Sequence, residues 1–135
     1  MTTTIDTVAA ARSYLGTPWR HGGSDRNGMD CAGLVLAVAA DLGLRRPRLV
    51  YSPLPALDLF SLLPEFCERV TEPEVGGIVR LTVAGRPQHL AIVADHPHGG
   101  LSLIHAYMPL LRVVEHRLDA RWQRRIVSAW RFGAY

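Results

Sequence analysis

Cys31 stands where irregular backbone gives way to an apolar run, and such a junction is a place to build a nucleophilic thiol. Upstream, Gly16-Thr17-Pro18-Trp19-Arg20-His21-Gly22-Gly23 and then Asn27-Gly28-Met29-Asp30 are punctuated by glycines, a proline and an Asn-Gly pair. Downstream, the run from Ala32 through Ala40 reads as a buried helix, with Asp30 in its N-cap position. A cysteine in the first turn meets the positive end of the helix dipole, which favours thiolate over thiol. The competing reading is plain packing, because many cysteines at the edge of an apolar helix are small core residues.

Acyl transfer from a thiol needs a base to take the proton and a third group to orient that base. His89 opens the segment Gln88-His89-Leu90-Ala91-Ile92-Val93, and His105 closes Leu103-Ile104-His105-Ala106. Both segments are rich in β-branched residues, and the turn signal His98-Gly99-Gly100 lies between them, so they read as an antiparallel pair. Pairing residues 90–93 with 101–104 sets His89 beside His105. In that arrangement His89 serves Cys31, while His105 bonds the far nitrogen of His89 and fixes its tautomer.

The elements that position these groups follow from periodicity. Residues 4–15 fit an amphipathic helix with Asp6 in its first turn and Gly16 as its stop, and residues 31–42 form the apolar helix closed by Gly43. Residues 45–55 carry three prolines and read as an extended connection, and residues 57–70 as a second amphipathic helix bearing Cys67. After Gly76-Gly77 the period changes to strands over 77–83, 88–95 and 101–107, with two more over 111–115 and 125–132. Helices first and strands second, without βαβ alternation, predict an α+β fold, and 135 residues predict a single domain over 1–135.

Composition excludes several classes. A net charge of +3 is too weak to argue for nucleic acid, and all basic residues are arginine, grouped only at Arg45-Arg46-Pro47-Arg48 and at Arg121, Arg124 and Arg125. Those groups read as solvated faces or docking surface. No apolar run is long enough to span a membrane, and the first residues lack the pattern of a secretory signal, so no membrane insertion is expected. The two cysteines are expected as free thiols. His89, Asp95, His96 and His98 could be drawn as a metal site, but they match no zinc spacing, so neither a metal nor a cofactor is expected. His21 and His116 read as surface residues, with His21 near enough in sequence to line a cleft.

The segment Gly16-Thr17-Pro18-Trp19-Arg20-His21-Gly22-Gly23, followed by Asp30-Cys31-Ala32-Gly33-Leu34-Val35, resembles the signature of the NlpC superfamily of papain-like cell-wall peptidases. The resemblance extends to His89-Leu90-Ala91-Ile92-Val93 and Ile104-His105-Ala106. It implies N-terminal helices packed on an antiparallel sheet, with Cys31 as nucleophile, His89 as base and His105 as orienter. The implied substrate is the peptide stem of bacterial peptidoglycan, cut at the bond between D-glutamate and a diamino acid or at a neighbouring bond. Asp30 would cap the helix or contact a substrate amine.

Three positions depart from the family's pattern. Trp19 replaces a tyrosine whose hydroxyl helps the oxyanion hole, which leaves the Cys31 backbone N–H plus Trp19 or His21 as donors. Ala32 replaces a serine, and Val75-Gly76-Gly77 replaces Pro-Gly-Asp. The C-terminal stretch from Val113-Val114-Glu115 through Trp130-Arg131-Phe132 resembles the phage-tail branch. That implies assembly with tail or hub proteins in a particle that opens the wall during DNA entry. The alternatives are a wall-recycling enzyme, an acyltransferase or amidase on a related fold, and a tail-hub or binding module that has lost activity through Trp19.

Overall fold

The computed structural model describes residues 4–44, 63–83 and 86–133; the connection expected over 45–55 and the start of the helix expected over 57–70 lie outside them. Helix α1 (Thr4–Arg12) carries Asp6 in its first turn and Arg12 in its last, the charge order its dipole favours. It ends at Arg12 rather than Leu15, because Gly16 at φ +86° turns the chain and donates its N–H to Val113 O of the sheet. Tyr14 then donates its hydroxyl to Asp41 at 2.6 Å, tying the exit of α1 to the far end of the next helix.

A small hairpin, β1 (Ser24–Asp25) and β2 (Gly28–Met29), leads into α2 (Cys31–Asp41). Residues Ala32 to Ala39 of α2 are buried without interruption. A helix apolar on every side must be covered on every side. Here α1 and the Gly16–Asp30 loop cover part of α2, and the sheet covers the rest.

The sheet contains β3 (Cys67–Val70), β4 (Ile78–Val83), β5 (Arg86–Asp95), β6 (Leu101–Tyr107), β7 (Arg112–Arg117) and β8 (Ile126–Phe132). Its order is β3-β8-β4-β5-β6-β7, antiparallel throughout, so the fold is α+β as expected. Short helices α3 (Leu63–Phe66) and α4 (Ala120–Gln123) precede β3 and β8.

Two expectations are corrected here. Residues 67–70 are a strand rather than helix: Pro64 fits only the first turn of α3, and the backbone from Cys67 onward pairs with β8, Cys67 opposite Phe132. Cys67 is buried and Cys31 half-buried, and both are free thiols. The β5–β6 register also differs by two residues from the expected one, with Ile92 opposite Ile104. A two-residue slip preserves which face each side chain occupies, so the histidines stay on a common face.

Alternation divides the core. Leu90, Ile92 and Ala94 of β5 pack with α2, whereas Ala91 and Val93 join Leu103, Val79 and Leu81 on the opposite face. Trp122, on α4, packs against that second cluster.

Candidate active site

Asp30 organises the start of α2. Its extended backbone (φ −102°, ψ −173°) suits an N-cap, and Oδ1 accepts the Gly33 N–H at 2.8 Å. Its Oδ2 accepts the Gly22 N–H, also at 2.8 Å, so one carboxylate joins the helix start to the loop that precedes it. Gly33 permits this approach: a Cβ there would lie 1.8 Å from Gly23 O. Asp30 is buried in its capping role.

Cys31 follows the cap. Its sulfur lies within reach of three backbone N–H groups, those of Leu90, Ala32 and Cys31 itself. The β5–β6 ladder ends at Ile92, which leaves the Leu90 N–H to meet the sulfur instead of a strand. The three N–H groups pull the thiol pKa down, as a helix start should. Burial and then the negative charge of Asp30 outweigh them and push it up to about 11. The helix start and burial thus act on the thiol in opposite directions, and burial is the larger effect.

His89 is the residue before Leu90, at the same strand end. It shares the parity of Ala91 and Val93, and the Cys31 sulfur meets the strand one residue away, at Leu90. Its Nε2 lies 2.5 Å from Nδ1 of His105, and the two rings meet edge to face with centroids 4.8 Å apart. Among the described residues, nothing bonds the other nitrogen of His89, Nδ1.

The row continues beyond the expected pair. His105 Nε2 lies 2.8 Å from His116 Nε2, and His116 Nδ1 lies 3.0 Å from the carbonyl oxygen of Arg117. Burial lowers the pKa of His89 to about 4 and of His105 to about 2, the neighbouring histidines adding repulsion. Tyr107 and Trp122 enclose the row, with Trp122 5.2 Å from the His105 ring and 4.7 Å from that of His116.

The NlpC/P60 family pattern matches residues 16–131, a span that contains the cap, the thiol and all three of these histidines. The chain belongs to the NlpC/P60 family. Its fold is similar to that of the NlpC/P60 domain of the peptidoglycan hydrolase SagA, at 25% identity and a TM-score of 0.65, over 95% of this chain and 97% of that one. It is also similar to the peptidoglycan hydrolase RipB of Mycobacterium tuberculosis, at 18% identity and a TM-score of 0.69, over 98% of this chain and 65% of that one. An NlpC/P60 family protein of Bacillus cereus gives a TM-score of 0.73 at 17% identity, covering 97% of this chain. The chain spans 40% of the Bacillus cereus protein's length. Comparison with curated proteins returned no match.

Trp19 is half-buried against the main core, its backbone N–H donating to Leu111 O at 2.9 Å. His21 is exposed, its ring 6.5 Å from that of Trp19. His96 and His98 sit at the β5–β6 turn, and His89 lies at the other end of β5, roughly 20 Å away at strand rise. Among the described residues, no three His, Cys, Asp or Glu side chains gather as a metal site.

His116 was expected on the surface and is instead half-buried in the histidine row. The strand expected over 111–115 stops two residues too early. Extended to Arg117, β7 places His116 opposite Leu103, one diagonal step from His105. Continued alternation from Val114 to His116 was the available signal.

Proposed function

We propose that this chain is a cysteine endopeptidase that cuts the peptide stems of peptidoglycan. The observation that carries the chemistry is the meeting of the Cys31 sulfur with β5 at Leu90, beside His89, whose Nε2 is held by His105. Family membership, and the hydrolases SagA and RipB among the similar structures, support the substrate class. Cys31 attacks the scissile carbonyl as His89 takes the thiol proton on Nδ1, and His89 returns that proton to the leaving amine. His105 holds the His89 ring. The Cys31 backbone N–H, with Trp19 or His21 as second donor, receives the charge that develops on the carbonyl oxygen. Asp30 acts through its cap.

The bond cut is that between D-glutamate and the diamino acid, a choice supported by the motif resemblance. The chain works as a component of a phage tail or phage-derived particle, docked on tail or hub proteins and acting at the wall, which the C-terminal sequence pattern supports. The rival reading, a tail-hub module of the same fold without activity, draws on the raised thiol pKa and on Trp19 in place of tyrosine.

Digestion of purified peptidoglycan and of isolated stem peptides, wild type beside Cys31→Ala, separates the two. Products read by mass spectrometry are expected from wild type and absent from the variant. Intact stems with folded wild-type protein overturn the enzyme reading.

A further inference from the structure

We propose that His89, His105 and His116 form a proton relay in which the charge created when Cys31 loses its proton comes to rest on His116, the positioning residue of the site. The inference rests on the thiol chemistry proposed above and extends it by two residues, His116 and Arg117.

The direction of the relay follows from one carbonyl. The oxygen of Arg117 can only accept, so Nδ1 of His116 carries its hydrogen toward that oxygen. In a neutral ring Nε2 of His116 is then bare and accepts the Nε2–H of His105 at 2.8 Å. His105 is left bare at Nδ1 and accepts the Nε2–H of His89 at 2.5 Å. The last vacancy is therefore a lone pair on Nδ1 of His89, the nitrogen a general base needs. A backbone carbonyl on β7 sets the tautomer of an imidazole on β5.

The destination of the charge follows from burial. His89 is 8% exposed and His105 fully buried, and neither holds a positive charge near neutral pH. His116 is half-buried at the outer end of the row. When the S–H bond of Cys31 breaks and Nδ1–H forms on His89, the Nε2 hydrogen of His89 passes to Nδ1 of His105. The Nε2 hydrogen of His105 then passes to Nε2 of His116. His89 and His105 end neutral in the opposite tautomer, Cys31 is a thiolate, and His116 is an imidazolium bonded to the Arg117 carbonyl. Protonation of the leaving amine runs the same shifts in reverse.

The surroundings fit this assignment. The Trp122 ring packs on both His105 and His116, shields the links between them and offers an aromatic face to a cation. The charged groups nearby are Arg117, which reaches Gly99 O and His96 Nδ1, Arg125, stacked on Trp122 at 4.6 Å, and Asp119, which caps α4. Glu115 points to the other face, held by Arg12 and Ser102.

The test uses iodoacetamide alkylation of Cys31 in the full chain, with Cys67→Ala as background. It needs no peptide, so it judges the relay independently of the substrate. The variant His116→Gln keeps an oxygen that accepts the His105 hydrogen but cannot take a proton. Its alkylation at pH 7 is expected to fall by roughly 10²-fold, the scale of losing a positioned base. Its pH profile should become the single rise of an unassisted thiol, with KM for stem peptides unchanged if the chain cleaves them. Wild-type alkylation in a folded His116→Gln overturns the relay. Nitrogen-15 spectra of the wild-type histidines give a second reading free of any variant. They should show hydrogen on Nδ1 of His116 and on Nε2 of His89 and His105, and an Nε2–H tautomer at His116 overturns the proposal. Alkylation that behaves as expected without stem cleavage counts against the substrate and leaves the relay standing.

Discussion

Asp30→Asn should move stability and thiol acidity in opposite directions. The carboxylate accepts two backbone N–H bonds at 2.8 Å, from Gly33 and Gly22, in a site only 6% exposed. Asparagine remains a good N-cap, so Oδ1 can still serve Gly33, though as a neutral acceptor of about half the strength. Its amide would face the Gly22 N–H donor to donor, leaving a buried group unsatisfied at about 1–3 kcal/mol. Together the loss is about 2–4 kcal/mol, a large share of a typical domain's 5–15 kcal/mol but short of unfolding it. The same change deletes the charge that helps hold Cys31 up near 11, so the thiol midpoint should fall. Urea unfolding measures the first effect, and the pH dependence of iodoacetamide alkylation the second. A variant as stable as wild type refutes the dual-bond account of the cap. A stable midpoint, or one that rises, refutes the assignment of Asp30 as a source of the raised thiol pKa.

Two further outcomes can be checked on the same material. Gly33→Ala places a Cβ 1.8 Å from Gly23 O, where backbone rather than a flexible side chain must yield. A loss of about 1–3 kcal/mol is expected from overpacking, read as a lower thermal midpoint with slower alkylation of a displaced Cys31. Acid should also destabilise the fold through its histidines. The folded pKa of His89 is lowered to about 4 from an ordinary 6.5, so the unfolded chain binds the extra proton between these values. Stability is then fully present above 6.5 and falls as pH drops toward 4, by on the order of 3 kcal/mol from His89 alone. Denaturant unfolding at pH 7 and pH 4.5 gives the slope, which should shrink in His89→Gln.

Much of this architecture is legible in local sequence. The apolar composition from Ala32 to Ala39 forces a covered helix, Asp30 announces its start, and Gly33 marks the close backbone approach. The strands of the second half follow from β-branched runs between glycine turns. What local sequence does not carry is pairing. Nothing in residues 67–70 reveals that β8 waits to pair with them, and register by two residues is invisible because both choices bury the same faces. The placing of His116 is hidden for a related reason, since it meets His105 only where β6 and β7 lie side by side. The thiol pKa is not legible in local sequence either, because the dipole is a local property of α2, whereas burial arises only in the folded site.

That last difference bears on how the site works. Burial drives the thiol upward and the imidazoles downward, so desolvation works against a stored thiolate–imidazolium pair. In the reaction proposed above, activation belongs to the moment of attack, when the S–H bond weakens as the carbonyl is engaged. At that moment the site must accept a proton on a nitrogen that resists charge. A row of hydrogen-bonded rings running outward meets this requirement, because it lets the proton enter at the buried end while the charge settles at the half-buried one. On the proposed relay, the Arg117 carbonyl, far from the sulfur in sequence, becomes as much a part of thiol activation as the helix dipole beside Cys31.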